Sequence, residues 1–336
     1  MKKLKKYGCA VISALVGLGV LMPRVAMAGT AGSSIRVGTG TYAGWQEAVT
    51  LRNGDVVVTV VPVIGRIMFY GTNETRNLLW NNAETAGRLD PDLYGKPPEY
   101  LNHGGDKIWL NQQPDFRGYY HRIWPPDPAQ DGLPHAFTLL TNGVRIVSAV
   151  SQYTGLQVER VITIPERGTR VAIDQTLVRR EAGMAGGIPV RSTLWSLTQI
   201  EKPLRCRAQV PVSQIPGDAV SNALYDVLHG DPDSFRVEGN QFAFTERSLP
   251  VSKVNLRATE WICADYEDCT FRQMFTVTGN AVYPEGGRTA SFFADAVYVE
   301  LELFSPLFEL QPGERGSNSI LWEITDGGPG STPAAL

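Results

Sequence analysis

The residues of this chain best suited to chemistry are a pair of carboxylates, a glycine-flanked imidazole and a set of indoles. Glu300 and Glu302 stand on either side of Leu301. Positions two apart on a strand point the same way, so both acids share a face. Turned inward, each raises the pKa of the other, which lets one hold a proton that its neighbour has lost. Turned outward, they form an ordinary solvated strand face, the commoner state of glutamate. His103 precedes Gly104 and Gly105, where it either lines a pocket or satisfies a turn. Asp106 and Lys107 follow within reach of ligand hydroxyls or rim charges, and His121 is a second imidazole in reserve. Trp109, Trp124 and Trp195 offer flat apolar faces with one N–H donor each, as the walls of concave ligand sites do. Core packing accounts for any single tryptophan equally well.

Other chemistries lack their residues. Ser305 and the remaining serines sit in no nucleophile elbow, and no glycine loop is built to cradle phosphate. No Cys-x-x-Cys pair or Cys/His spacing suits zinc, so neither a metal nor a cofactor is expected. The chain carries 31 Lys plus Arg against 34 Asp plus Glu, spread along its length. Nucleic acid is a poor partner for such a chain, because phosphate binding needs clustered positive charge.

The elements that must position these side chains read as strands. From Gly155 to Ile164, Leu156, Val158, Arg160, Ile162 and Ile164 alternate with Gln157, Glu159, Val161 and Thr163. Thr169 to Arg180 repeats the pattern through Val171, Ile173 and Leu177. Asn53-Gly54, Asn142-Gly143 and Glu238-Gly239-Asn240 supply turns between such runs. Val220 to Leu228 is the best short-helix candidate. Leu89 to Pro98 and Trp124 to Pro134 are long loops of the kind that form functional rims.

Residues 1–28 read as a signal peptide: a basic start at Lys2 to Lys6, an apolar run to Met22, and Ala26-Met27-Ala28 before the expected cut at Gly29. The alternative is an uncleaved anchor; after cleavage no stable membrane span remains. The mature chain reads as one domain, 29–325, with a Gly/Pro/Ser-rich disordered tail, 326–336, and a periplasmic or secreted location is expected. In such a compartment Cys263 and Cys269 suit a local disulfide, leaving Cys206 as a small buried residue.

Four segments, taken in order, resemble the galactose-mutarotase-like (aldose epimerase-like) superfamily. Leu51 to Trp80 is similar to its opening hairpin, with Ile64-Gly65-Arg66-Ile67 at the turn and Asn77-Leu78-Leu79-Trp80 at the close. His103-Gly104-Gly105 is similar to the motif whose histidine lines the sugar pocket. Gly-Asp-Lys-x-Trp at 105–109 and Trp124-Pro125-Pro126 resemble a bacterial branch of the superfamily. Ser192 to Ile200 matches the strand that carries the general-acid histidine. Val299 to Ile324, with Leu310-Gln311-Pro312-Gly313-Glu314, resembles the C-terminus.

The resemblance implies an all-β, large antiparallel supersandwich and an exported carbohydrate-binding protein with altered or absent epimerase activity. It places Glu302 as the carboxylate base, with Glu300 beside it, and Arg66 reaching into the ligand groove. Where the family has its acid, this chain reads Thr193-Leu194-Trp195-Ser196, so His103 is the substitute acid and Trp195 a stacking and hydrogen-bonding wall. The competing reading is a non-catalytic envelope sandwich used for protein contacts or scaffolding. A lyase or glycoside hydrolase on a related sandwich ranks third.

Overall fold

The computed structural model describes residues 34–89, 100–110, 126–212, 224–245 and 251–327. The expected signal peptide, Trp124 and His121 lie outside them. Two ten-stranded sheets and a two-stranded ribbon form the described fold, and every recorded strand pairing is antiparallel.

The first sheet begins with β1 (Arg36–Tyr42), β2 (Trp45–Arg52), β3 (Val57–Val61), β4 (Arg66–Gly71) and β5 (Asp106–Leu110). It continues through β11 (Leu194–Ile200), β20 (Val299–Phe304), β19 (Ala290–Asp295) and β16 (Val251–Leu256), and ends at β13 (Tyr225–His229). The second sheet starts with β14 (Phe235–Glu238), β15 (Gln241–Phe244), β12 (Arg205–Gln209), β17 (Trp261–Asp265) and β18 (Cys269–Phe275). Beyond them lie β22 (Arg315–Asp326), β9 (Val171–Arg179), β8 (Leu156–Thr163), β7 (Gly143–Val147) and β6 (Ala136–Leu140). The ribbon pairs β10 (Val190–Ser192) with β21 (Phe308–Leu310).

Alternation decides which side chains meet between the sheets. In β8, Leu156, Val158, Arg160 and Ile162 are buried, as the sequence period predicts. Tyr70 of β4 packs edge-on against Phe271 of β18 at 5.2 Å and lies 5.3 Å from Trp322 of β22. Farther along, Phe292 of β19 stacks over Phe242 and Phe244 of β15. Among the described residues no helix is long and apolar enough to cross a membrane.

Two expectations need correction. Tyr225 to His229 is an edge strand rather than a helix, because pairing with β16 satisfies its backbone and leaves Val227 and Leu228 exposed. Cys206, Cys263 and Cys269 are all buried, and Cys263 and Cys269 form no disulfide. Cys263 pairs across the ladder with Arg272, whereas the Cys269 carbonyl accepts the Tyr266 amide. The two thiols are thus offset by three positions, roughly 10 Å along a strand and beyond disulfide reach.

Asp106 also departs from its expected place at a ligand rim. It points between the sheets, where it ion-pairs with Arg160 of β8, both side chains being 2% exposed. Its other oxygen accepts from the Thr198 hydroxyl at 2.8 Å, which in turn accepts from Gln273 Nε2 at 2.7 Å. Removing one partner of a buried pair strands the other charge. Asp106→Ala should therefore lower unfolding free energy by about 3–5 kcal/mol, read from urea denaturation, and the double change Asp106→Leu with Arg160→Met should recover most of it.

Candidate functional site

The other side of β5 carries the candidate site. Register aligns Trp109 with Trp195 and Phe304, Lys107 with Leu197 and Glu302, and Gln199 with Glu300. One strand further, Glu300 faces Phe293, and Phe293 faces Lys253. These side chains share the face turned away from the sandwich core.

Glu302 lies at the centre and is 0% exposed. Its Oε2 accepts from Trp195 Nε1 at 2.9 Å and its Oε1 from Lys253 Nζ at 2.5 Å. Burial raises its carboxyl pKa above the ordinary range; Lys253 opposes the rise and Glu300 adds to it. Glu300 accepts from Gln199 Nε2 at 2.9 Å, with the Lys107 ammonium 3.5 Å away. Burial pushes Lys107 below the usual lysine range, and Glu300 works against that push. The same ammonium sits 5.3 Å from the Trp109 ring centre.

A second carboxylate, Asp131, ties this cluster to β4. Its Oδ1 accepts from Arg66 Nε at 3.1 Å and Nη2 at 2.5 Å. Its Oδ2 accepts from Trp109 Nε1 at 2.6 Å and the Tyr100 hydroxyl at 3.1 Å. Burial opposes ionisation of Asp131, yet Arg66 and Lys107 hold its pKa below the ordinary value. Arg66 is fully buried and also donates to the Gly104 carbonyl at 2.8 Å. Trp109 and Trp195 meet edge to face at 5.4 Å, so the contacts run without a break from Arg66 through Asp131, Trp109, Trp195 and Glu302 to Lys253.

Half-buried rings open this cluster toward solvent. Trp80 lies over Tyr298 at 4.6 Å, Tyr298 lies 6.1 Å from Phe293, and Lys253 Nζ is 5.9 Å from the Phe293 ring centre. Asn102 donates to the Tyr298 hydroxyl at 3.3 Å.

The structure brings together Glu302, Glu300, Lys107, Trp109 and Trp195, with Arg66 joined through Asp131. Asp106 lies on the opposite face. His103 stands apart: its ring meets the Trp45 ring edge-on at 5.4 Å, and burial, reinforced by Arg66, pushes its pKa down to about 4. A neutral imidazole of that kind cannot serve as a proton donor near neutral pH, which corrects its expected role as the acid. The glycines after it serve the backbone. Gly104, at φ +88°, passes so close to Trp80 that a Cβ would lie 2.2 Å from the Trp80 carbonyl oxygen.

Sequence reasoning missed Lys253, Asp131, Tyr298 and Gln199. Asp131 falls in the Trp124 to Pro134 loop, whose length was its only signal. Among the described residues no group of three or more His, Cys, Asp or Glu side chains could hold a metal ion.

No protein-family model matches the chain, and no curated protein does. Solved structures share its fold. A protein of Escherichia coli K12 described as a candidate aldose 1-epimerase superposes with a TM-score of 0.50 at 10% identity, over 82% of this chain and 98% of the other. A TPR-domain-containing protein from Parabacteroides distasonis superposes with a TM-score of 0.54 at 12% identity, over 86% of this chain. The match takes in 49% of that longer chain. The fold is the mutarotase-like antiparallel β-sandwich.

His135 is buried as His103 is, and burial pushes it too down to about 4 from 6.5. Both imidazoles stay neutral in the fold while the unfolded chain takes up protons below pH ~6.5. Their contribution is complete above that pH and is lost as pH falls toward 4, at up to about 1.4 kcal/mol per unit for each ring. Urea midpoints at pH 7 and 5 should fall accordingly, and His103→Gln should flatten the slope. Comparing the two proteins isolates the imidazole from Glu302, whose raised carboxyl acts in the opposite direction.

Proposed function

We propose that the outer face of the first sheet binds a saccharide, in an exported protein without the two-sided acid–base arrangement of an ordinary mutarotase. The observation that carries the reading is the junction of the Trp195–Glu302–Lys253 hydrogen bonds with the half-buried Trp80, Tyr298 and Phe293 rings. Flat rings stack on the apolar face of a pyranose, while charged groups with fixed geometry orient its hydroxyls. Lys253, with a side chain 19% exposed, is the group of that pair open to a ligand. The shared fold supports the reading as an analogy, since function resides in the site. The basic, apolar and Ala26-Met27-Ala28 segments support export with cleavage after Ala28.

Proton transfer is disfavoured on this reading. Both carboxylate oxygens of Glu302 are already engaged, and among the described residues no imidazole joins them. A second reading, a sandwich used only for protein contacts, draws support from the burial of Glu302, Lys107 and Trp195.

Thermal shifts with neutral hexoses and oligosaccharides separate the two. A binder present at about a hundred times its Kd should add roughly 2.7 kcal/mol of stability, enough to raise Tm by several degrees. Tyr298→Ala, at a half-buried position, should abolish the shift while the free protein stays folded. A flat response across the panel sinks the saccharide reading. Anomer-exchange rates measured by NMR should match the uncatalysed rate in wild type and in Glu302→Gln alike.

A further inference from the structure

The second sheet carries its own cavity on the opposite side of the molecule. The core-directed residues of β14, β15 and β12 are Phe235 and Val237, Phe242 and Phe244, and Cys206 and Ala208. The alternate positions, among them Arg236, Glu238, Gln241, Arg205 and Arg207, face outward and line a hollow of about 530 Å³. Asp233 and Ser234, from the turn before β14, line it as well.

Two guanidinium groups in that wall are held by one acid. Arg207 makes a two-bond fork with Asp265, Nε to Oδ2 at 2.7 Å and Nη2 to Oδ1 at 2.8 Å. Arg205 adds Nε to Oδ2 at 2.8 Å. Burial favours the neutral acid at Asp265, but the Arg207 and Arg205 hydrogen bonds hold its pKa below the ordinary carboxylate value. A single negative charge therefore anchors two positive ones. Among the described residues the outer nitrogens of Arg205 have no recorded partner, on a side chain one-third exposed.

Ser234 is a second, independent observation that points to a ligand. It is buried, and among the described residues its hydroxyl has no hydrogen-bond partner. Buried hydroxyls are normally satisfied, and one beside a polar hollow is a donor in waiting. Asp233 and Glu238 complete the wall with acceptors, which suit hydroxyls and repel a bare anion. A guanidinium fork set among carboxylates selects a ligand with both an anionic group and hydroxyls.

We propose that this hollow binds a saccharide bearing a carboxylate, that is, a hexuronate unit. Arg205 takes the carboxylate through its free nitrogens, Ser234 supplies a hydroxyl, and Asp233 and Glu238 accept from the sugar hydroxyls. The site shares no residue with the Glu302 face.

Calorimetric titration of the whole protein with sodium D-glucuronate, D-glucose and sodium acetate tests this. Glucuronate should bind about tenfold or more tightly than either of the others, as expected for losing a charge-assisted contact or a set of hydroxyl contacts. It should also shift the backbone amide resonances of Arg205, Ser234 and Gln241. Arg205→Gln should weaken glucuronate by about tenfold while leaving neutral-sugar binding elsewhere unchanged. If that variant melts below the wild type, the surface change Glu238→Ala decides in its place. Acetate or glucose binding as tightly as glucuronate overturns the proposal, as does unaltered glucuronate affinity in the deciding variant.

Discussion

Charge taken out of water must be compensated by the protein, and that requirement governs both sheets. Asp106 meets Arg160 between them. Asp131 meets Arg66, Glu300 lies beside Lys107, and Glu302 meets Lys253 on the outer face of the first sheet. Such pairs add little net stability over apolar residues of the same shape, but neither partner can be withdrawn without stranding the other. Strand β5 shows the consequence for register. Asp106 and Lys107 are adjacent and serve opposite faces, so a slip of one residue would send each to the wrong side. Arg160 would then lack its acid and Glu300 its ammonium.

The outer face inherits its geometry from that register. Trp109 is fixed at one end by Asp131 and at its ring by Trp195, and Trp195 is fixed in turn by Glu302. Each indole N–H is spent on a carboxylate, which orients the ring as well as satisfying the donor. A ligand reaching the Tyr298 and Phe293 rings meets a surface whose polar groups are already arranged, so little ordering is left to do on binding.

Much of this was legible in the sequence. The period-2 runs of β8 and β9 located strands well, and Glu300 and Glu302 do share a face with Trp195 and Lys107. What escaped has a common physical cause. Asp106 and Lys107 both read as polar residues near a turn, and one-dimensional alternation does not say which of two buried faces each enters. Lys253 sits in an unremarkable strand and gains meaning only from the sheet, where Phe293 on β19 stands between it and Glu300 on β20 and its ammonium reaches Glu302. The sequence neighbours of His103 suggest an acid, whereas its titration is set by burial first and Arg66 second. Across Val220 to Leu228 the apolar spacing suits a helix, and from Tyr225 onward the open edge of β16 overrules it.

The unbridged thiols of Cys263 and Cys269 bear on how the chain must reach this state. Burial pushes Cys263 up to about 12 and Cys269 up to about 11, so neither supplies much thiolate once the sheets have closed. Before closure nothing shields them. Any bridge made early joins positions that the finished ladders hold apart, and it must be reduced before β17 and β18 can zip into register. In an oxidising compartment, folding of this chain would therefore be a race between sheet assembly and oxidation, won by keeping its sulfur reduced until the sandwich shuts.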